Sequence, residues 1–586
     1  MTGRLGRATG WATKAAIVGG YLYFFPYFGH LRNPNENVRV YMVLSIVDHH
    51  TFALNQTISE EGYVDDRATN RSHVCSGRQR VEPCTYSSKA PGTSYLGVPV
   101  YLALRTAYAV FGTTPDLAAG TYFLRLFCII LPSLLFVWAF FQFLCRYLQG
   151  DFERWLIVGT FALGTMSYTY AHEFVGHQLA AILAFGSFVL VERAHREGDR
   201  WATLAAGFAA GYAAITEYPA ILIVPIVAAY AAARLRGRVP APLAVFGAGL
   251  VVPATLGMLY HQVCFDSPLR TGYSMLANPA YARFHSVGVF GIATPTLSAA
   301  SYSLLSPARG LFFFAPFLLI GLVGLVMLWR DGRRAECTLT TAVVSVCVVY
   351  QSAVNPDIGG WSIGPRYIVL ITPFLTFGAA ACLEHFRRRS FWYLYGAAIP
   401  LCMLSVAFTF LSTVVFHTFP PQFTNPFYEW ILPLMRMGYF NNSLGTWIGL
   451  RGLWSALPGL LPVAVMMLLF CLGPAAADRP QRLARAAAAA LIASILLTAL
   501  SHLQRFDSAE KDAEFSRLAR LWEPQPVTGE ALTAARRRAD DLPTDPDAEA
   551  DFAWLLARTG QWQLALDRYA RAAGALNQSD PRRSDR

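Results

Sequence analysis

Residues 15–31 read AAIVGGYLYFFPYFGHL and are followed at once by RNPNENVRVY at 32–41. The first stretch is apolar and about long enough to cross a membrane, whereas the second is polar and charged. The whole chain of 586 residues is 54% hydrophobic and 15% charged, and soluble domains are roughly 25% charged. The sequence therefore predicts an all-α polytopic membrane protein. Its first apolar stretch has no small-residue cleavage site after it, so we expect a retained span.

Apolar stretches of similar length recur along the chain. They cover 15–31, 121–145, 155–170, 177–191, 201–216, 219–233, 242–262, 311–329, 338–354, 367–384, 392–416, 454–472 and 486–502. If the N-terminus is cytoplasmic, the arginine-rich clusters between these stretches all fall on the cytoplasmic side, as the positive-inside rule requires. We therefore predict a bundle of about 13 transmembrane helices in the bacterial inner (plasma) membrane. Its outer-face loops are 32–120, 263–310, 355–366 and 417–453.

One stretch, 92–112, is apolar enough to span but would invert every later loop if it crossed. We interpret it as a helix in the outer interface, with Arg105 on its polar side. A true crossing compensated by a missed one elsewhere is the alternative.

The composition changes after the last span. Residues 503–586 are polar and helix-prone, whereas 1–502 form the predicted transmembrane domain. Small and aromatic residues between 556 and 576 have tetratricopeptide-like spacing, although an ordinary amphipathic helical tail fits as well. This tail carries more acidic than basic residues, so the net charge of +11 belongs to the membrane part. No basic tract with interleaved aromatics appears, which argues against nucleic acid as a partner.

Cysteine usage distinguishes one loop from the spans. Most of the ten cysteines lie in apolar runs, where they read as small core residues. Cys75 and Cys84 instead share the first outer loop, on the oxidising side of the membrane. They either form a disulfide or remain two free thiols.

Ionisable residues at a membrane boundary are costly, so those in the first outer loop are functional candidates. Glu36, Arg39 and Asp48 follow the first span almost at once. The helical spacing of Glu36 and Arg39 also allows a local ion pair without any catalytic role.

Several short segments together resemble a known superfamily. NENVRVY at 35–41 and IVDHHTF at 46–52 resemble the Asp-Glu-x-x-Tyr segment that opens the first outer loop of GT-C glycosyltransferases. That superfamily includes protein O-mannosyltransferases and lipid A aminoarabinose transferases. YSSKAPG at 86–92 resembles its Lys-Pro-Pro segment, and GPRY at 364–367 is similar to its Arg-Tyr segment before prolines. With Phe111-Gly112 and Arg125-Leu126 between them, the resemblance covers roughly residues 15 to 400.

The resemblance implies transfer of a sugar from a polyprenyl-phosphate donor to a lipid, glycan or protein acceptor on the extracytoplasmic face. Lys89 and Arg366, with Tyr367 and Arg39, would bind the donor phosphate. An acid would take the proton of the acceptor hydroxyl. The catalytic acid of the family aligns with Asn35, so Glu36 is the predicted base, with Asp48, Asp65 and Asp66 as further candidates.

A second acid of the family is replaced in the segment 171–177, AHEFVGH. Glu173 and His177 are four residues apart and could orient an acceptor or a metal. Alternatively, His172 and His177 only cap the ends of spans. Glu217 interrupts two apolar runs and is expected to face the same cavity, because a buried acid without a partner is costly.

No zinc-ligand spacing is present, and metal dependence is left open, because Glu36, Asp48 and Glu173 could coordinate a hard divalent cation but no fixed spacing demands one. The main competing function is a lipid-linked substrate transporter or flippase, which would more naturally show internal repeats. A scaffold whose tail binds an envelope protein is a third reading. No ATP-binding Gly-Lys-Ser/Thr loop is present, which argues against an ATP-driven transporter.

The topology has a direct test. A reporter enzyme that works only outside the cytoplasm, fused after residue 510, is expected to be active, because 13 crossings from a cytoplasmic N-terminus end outside. The matched fusion after residue 332, in a basic loop, is expected to be inactive. The reverse pattern would contradict the predicted span count.

Overall fold

The computed structural model describes residues 2–26, 33–76, 81–286, 291–354, 361–419, 423–436, 438–473, 529–559 and 561–579, with a few single residues between 483 and 490. Helices make up 75% of the structure, so the predominantly helical class predicted from the sequence is confirmed. Two compact units are present, one holding the helices up to residue 473 and the other the helices from residue 529.

The first half of the larger unit consists of helices and one β-hairpin. Its elements are α1 (Thr2–Tyr23), α2 (Pro34–Asp48), α3 (Asn55–Glu61), β1 (Arg67–Ser76), β2 (Val81–Ser87), α4 (Gly92–Ala109), α5 (Leu117–Leu144), α6 (Asp151–Gly164), α7 (Met166–Ala171), α8 (Gly176–Glu197), α9 (Arg200–Thr216), α10 (Tyr218–Arg234) and α11 (Pro242–Phe265). A π-helical turn lies within α5, and α10 begins as a 3-10 helix.

The second half contains helices only. They are α12 (Pro279–His285), α13 (Leu297–Leu305), α14 (Leu311–Phe314), α15 (Leu318–Arg330), α16 (Arg334–Ala353), α17 (Arg366–Arg388), α18 (Trp392–Val415), α19 (Leu432–Arg436), α20 (Leu444–Trp447) and α21 (Leu453–Leu472). The first turns of α17 are 3-10, and a π-helical turn precedes α19.

Five helices of the described part are long and apolar enough to cross a membrane: α5, α11, α17, α18 and α21. Each coincides with a span predicted from the sequence, to within a few residues at either end. The count of about 13 spans stays a prediction, and most of the predicted span 486–502 lies outside the described residues. Helix α4 is not among the five. Its position in the outer interface stays a prediction.

Other predicted spans differ from the structure in extent. The first helix begins at Thr2, 13 residues before the predicted span 15–31, and ends at Tyr23, and residues 27–31 of that span lie outside the described residues. The predicted span 155–170 is divided into α6 and α7 at Thr165, whose backbone is extended. Local helix breaks of this kind leave hydropathy unchanged and are invisible in it.

Small residues allow the helices to pack closely, as is usual in membrane bundles. A Cβ atom on Gly324 of α15 would collide with the backbone of Gly378 in α17. In the same way, Gly207 of α9 and Gly249 of α11 have the backbone of the opposite helix directly against them. These crossings determine how the helices around the candidate site are spaced.

The first predicted outer loop contains a β-hairpin, and hydropathy did not indicate this hairpin. Strands β1 and β2 pair antiparallel with a bulge between Asn70 and Val74. Cys75 and Cys84 form a disulfide across the hairpin, which is the first of the two alternatives that the sequence left open. Two buried asparagines anchor the hairpin: Asn55 accepts a hydrogen bond from the backbone NH of Thr85, and Asn70 donates to the carbonyl of Cys264.

The smaller unit contains α22 (Gly529–Asp541), α23 (Pro546–Arg558) and α24 (Trp562–Ser579). Ala539, Phe552, Leu556 and Ala565 form its core. The helical tail agrees with the sequence reading, whereas its tetratricopeptide-like character and its extracytoplasmic position stay predictions.

Candidate functional site

The ends of the hairpin bring an acid and a base together. Asp66 directly precedes β1, Lys89 follows β2, and Arg67 pairs with Ser87 in the strand register. As a result Lys89 Nζ lies 3.1 Å from Asp66 Oδ1, with the two side chains only 7% and 14% exposed. Ser88 reinforces the turn by donating its hydroxyl to the carbonyl of Asp66. Lys89 thus occupies a rigid position, although it lies in a loop.

A second ion pair joins helix α2 to the break between α9 and α10. Arg39 Nη2 donates to Glu217 Oε2 at 3.2 Å, and both side chains are buried. Arg39 also donates to the backbone carbonyl of Asn35. Burial raises the pKa of Glu217, and the positive charges of Arg39, Lys89 and Arg366 oppose that shift. Glu217 was expected to face the same cavity as the other candidate residues, and it has three cationic neighbours.

Two glycines near Glu217 have no room for a side chain, and each allows a further segment of the chain to pack closely there. A Cβ on Gly92 would lie 2.8 Å from the carbonyl oxygen of Ile215, and one on Gly176 would lie 2.6 Å from Glu217 Oε2. The first contact positions the turn after Lys89, and the second positions the start of α8. His177 therefore lies beside Glu217, with Nδ1 3.5 Å from Oε2.

Arg366 begins helix α17 after a turn that requires glycine. Gly364 has a φ of +66° and has the sulfur of Met166 against the position of a Cβ. The Arg366 guanidinium donates from Nη2 to the hydroxyl of Tyr367 at 3.1 Å, and its centre lies 5.1 Å from that ring. The Tyr367 ring in turn lies 6.0 Å from the ring of His177, the neighbour of Glu217.

We call Arg39, Lys89 and Arg366 the cation cluster. Arg39 pairs directly with Glu217, and the positive charges of Lys89 and Arg366 also oppose the rise in the pKa of this acid, so all three cations lie near it. Lys89 pairs with Asp66 and Arg39 pairs with Glu217, whereas Arg366 donates to the hydroxyl of Tyr367. Such a buried arrangement is suited to an anion that accepts several charge-assisted hydrogen bonds.

An apolar cavity of about 550 Å³ lies beside this cluster, because it is lined by Glu217, the partner of Arg39, and by Tyr367, which Arg366 contacts. Its walls are mainly aliphatic residues of α9, α10 and α11. At one end it is lined by Glu217, Tyr273 and Tyr367, and the ring of Tyr273 lies 5.3 Å from Lys89 Nζ. The site therefore combines a charged head with an apolar channel.

Glu36, the predicted base, lies in a different set of contacts. Arg125 donates two hydrogen bonds to the Glu36 carboxylate, with Nε 2.6 Å from Oε1 and Nη2 2.5 Å from Oε2. The backbone NH of Phe174 also donates to Oε1 at 2.6 Å. The helical spacing of Glu36 and Arg39 allowed a local ion pair, but in the structure Glu36 pairs with Arg125. Both carboxylate oxygens thus hold structure together, tying α2 to α5 and to the start of α8.

Asp48 lies at the opposite end of α2 from Glu36. Its carboxylate accepts from Arg105 Nε at 3.0 Å and from the Tyr101 hydroxyl at 3.1 Å, both in α4. The structure does not bring it to the cation cluster. Its contacts fasten α4 to α2, with Arg105 on the polar side of α4 as predicted.

Glu173 and His177 do not form the predicted pair. Glu173 Oε2 accepts from Asn33 Nδ2 at 2.9 Å, whereas His177 faces Glu217. Burial, reinforced by the charge of Glu36, raises the pKa of Glu173 to about 8, so this acid is mostly protonated at neutral pH. His172 does cap a helix, since Nδ1 lies 2.8 Å from the carbonyl of Tyr168. Burial lowers the pKa of His172 to about 4, which keeps it neutral.

A metal site does not emerge from these positions. Within the described part of the chain, no three His, Cys, Asp or Glu side chains are grouped so that they could hold a metal ion. Glu36, Asp48 and Glu173, the ligands considered from the sequence, have separate hydrogen-bond partners.

Two residues of the site, Asp66 and Tyr273, were not among the principal site residues predicted from the sequence. Asp66 was only one of several further acids, and Tyr273 was not considered. Residues 65–66 meet residues 88–89 only because the chain forms a β-hairpin between them. The sequence signal for that hairpin was the pair of cysteines, Cys75 and Cys84. Tyr273 lies in a polar outer loop with no local pattern that marks it.

Comparisons with known proteins add no family assignment. No protein-family model matches this chain, and no curated protein matches it significantly.

The Glu36–Arg125 pair can be tested for a structural role. Glu36→Gln is expected to lower the free energy of unfolding by about 3 kcal/mol, because it leaves a buried arginine without its anion. Thermal unfolding in detergent measures the loss, and Glu60→Gln, at a half-exposed acid, is the matched control. Unchanged stability combined with loss of turnover would instead support Glu36 as the base.

Proposed function

We propose that this protein transfers a sugar from a polyprenyl-phosphate donor to a lipid, glycan or protein acceptor, as a glycosyltransferase on the extracytoplasmic face of the membrane. The observation that carries the proposal is the buried cation cluster beside an apolar cavity, with Glu217, Tyr273 and Tyr367 between the two. A polyprenyl-phosphate sugar has the matching parts: a long apolar chain, an anionic phosphate and a polar sugar at the headgroup level.

The cation cluster supports binding of the donor phosphate. Arg366 has a planar guanidinium suited to two phosphate oxygens, whereas Lys89 supplies a compact charge. Arg39 is held by Glu217 and contributes to the positive potential without being displaced. Because these groups are buried, their attraction to an anion is weakened little by solvent.

The apolar cavity supports binding of the prenyl chain. Its aliphatic walls end at Tyr273 and Tyr367, next to the cations. A chain lying in it would place the phosphate at Lys89 and Arg366, with the sugar beyond them. Burial of each methylene of such a chain contributes about 0.8 kcal/mol.

Asp66 is the acid best placed to serve as base. It adjoins Lys89, remains partly accessible, and belongs to a loop that is predicted to lie outside the cytoplasm. In the proposed step, the acceptor oxygen bonds to the anomeric carbon as the bond from that carbon to the phosphate oxygen breaks. The acceptor proton passes to Asp66, and the polyprenyl phosphate leaves with its negative charge stabilised by Lys89 and Arg366.

The proposal predicts separate effects on binding and on chemistry. In proteoliposomes with an undecaprenyl-phosphate hexose, Lys89→Ala and Arg366→Ala are each expected to weaken donor binding about tenfold or more, because each removes a charge-assisted contact. Asp66→Asn is expected to leave donor binding intact and to lower kcat about 100-fold. Arg193→Gln, at an exposed helix end, is the control.

Glycan formation is followed by mass spectrometry, with membranes of a strain lacking the gene as the source of acceptor. Donor affinity unaltered by both Lys89→Ala and Arg366→Ala would contradict the phosphate site. Full turnover by Asp66→Asn would exclude Asp66 as the base. Movement of the donor across the bilayer without any glycan product would favour the transporter or flippase.

A further inference from the structure

The chain that leads into helix α12 (Pro279–His285) packs against the base of the hairpin. A Cβ on Gly272 would lie 2.7 Å from the Cα of Ser88, the residue that follows β2. Further along the same segment, the NH of Ala277 donates to the carbonyl of Arg67, the first residue of β1, at 3.0 Å. The position of α12 is therefore fixed relative to both ends of the hairpin.

Contacts at the two ends of α12 turn one face of this helix toward the donor site. Just before the helix begins, Asn278 Nδ2 donates to Asp65 Oδ1 at 3.1 Å. At its last residue, the ring of His285 lies 4.6 Å from the ring of Tyr273. The ring of Tyr273 is in turn 5.3 Å from Lys89 Nζ. The helix face that carries Asn278 and His285 thus adjoins the hairpin ends.

Tyr281 lies on that same face, between the two contacts. It follows Asn278 by three residues and precedes the last helical residue by four, which is the spacing of one helical face. Burial and the charge of Asp66 raise the pKa of the Tyr281 hydroxyl. The charges of Lys89 and Arg366 oppose that rise. The hydroxyl of Tyr281 is therefore near all three charged groups of the proposed reaction.

In the proposed reaction, the transferred sugar lies among these three groups. Its anomeric carbon is bonded to the phosphate at Lys89 and Arg366, and the acceptor oxygen that attacks this carbon passes its proton to Asp66. Tyr281 is located in the same place. Tyr273 lines the apolar cavity, whereas Tyr281 is not among the described residues of that lining. Tyr281 therefore adjoins the sugar rather than the prenyl chain.

We propose that Tyr281 binds the transferred sugar of the donor, with its ring packed against the C–H groups of that sugar. A hexose has apolar C–H groups on its faces and hydroxyls at its edge, and tyrosine combines an apolar ring with a polar tip in the same way. This inference rests on the proposed function, because only a sugar-bearing donor places a sugar beside Asp66. It adds a residue that distinguishes such a donor from other prenyl phosphates. The cation cluster and the apolar cavity contact only the parts that these lipids share.

Matched lipid probes separate binding of the sugar from binding of the phosphate. Full-length protein in phosphatidylcholine nanodiscs is titrated with undecaprenyl-phosphate glucose, mannose and galactose, and native mass spectrometry measures the affinities. The fourth probe is undecaprenyl methyl phosphate, a phosphodiester of the same charge without a sugar. At least one hexose donor is expected to bind about fivefold or more tightly than the methyl ester, and Tyr281→Ala is expected to remove that preference. Tyr281→Phe keeps the ring and is expected to retain it.

Tyr393→Ala, at an exposed tyrosine of α18, is the matched control and is expected to leave the binding of every probe unchanged. Because Tyr281 is only partly buried, its variants are expected to fold, which thermal unfolding verifies. Equal affinity of the unaltered protein for all four probes, or a hexose preference that Tyr281→Ala retains, would overturn the proposal. So would loss of that preference in Tyr281→Phe, or an equal weakening of all four probes by Tyr281→Ala, because Tyr281 would then support the phosphate site.

The sugar-free probe reports separately on the proposed function. Lys89→Ala is expected to weaken binding of undecaprenyl methyl phosphate about tenfold or more, because it removes a charge-assisted contact to the phosphate. Unchanged binding of this probe by Lys89→Ala would contradict the donor site itself. Failure of the donor site and failure of the sugar contact are therefore distinguishable.

Discussion

A charge buried away from water has to be compensated, and the paired arginines of this protein show how that requirement organises its charged end. Arg125 is compensated by Glu36, and Arg39 by Glu217. Each pair joins segments far apart in the sequence, and removal of one partner from such a pair is strongly destabilising. The pairs therefore fix how α2, α5, α9 and the start of α8 meet, and the candidate site depends on that arrangement.

Within this framework the charged groups divide into two kinds. Glu36 and Asp48 have carboxylates occupied by arginines that connect helices. Lys89 and Arg366 instead lie next to Tyr273 and Tyr367, two residues that line an apolar cavity. The proposed donor site follows from this contrast, since a phosphate with an apolar chain satisfies both the charge and the cavity. Asp66 belongs to the second kind because its partner is Lys89 itself.

The sequence predicted the parts of the fold that depend on apolar length. The span 242–262 corresponds to α11 (Pro242–Phe265) and the span 392–416 to α18 (Trp392–Val415), because burial in lipid requires long uninterrupted apolar helices. The hairpin was missed, since a polar loop has no such signal. Lys89 and Arg366 were identified through a resemblance, whereas the partner of Glu36 was not, because Arg125 lies 89 residues away and only the folded chain brings them together.

The most direct measurement is a cryo-electron microscopy structure in nanodiscs with a non-transferable undecaprenyl-phosphonate sugar. The account predicts phosphonate density within hydrogen-bond distance of Lys89 Nζ and the Arg366 guanidinium, with the prenyl chain in the cavity between α9, α10 and α11. Density for the ligand elsewhere on the protein, with Lys89 and Arg366 not in contact with it, would contradict the central claim.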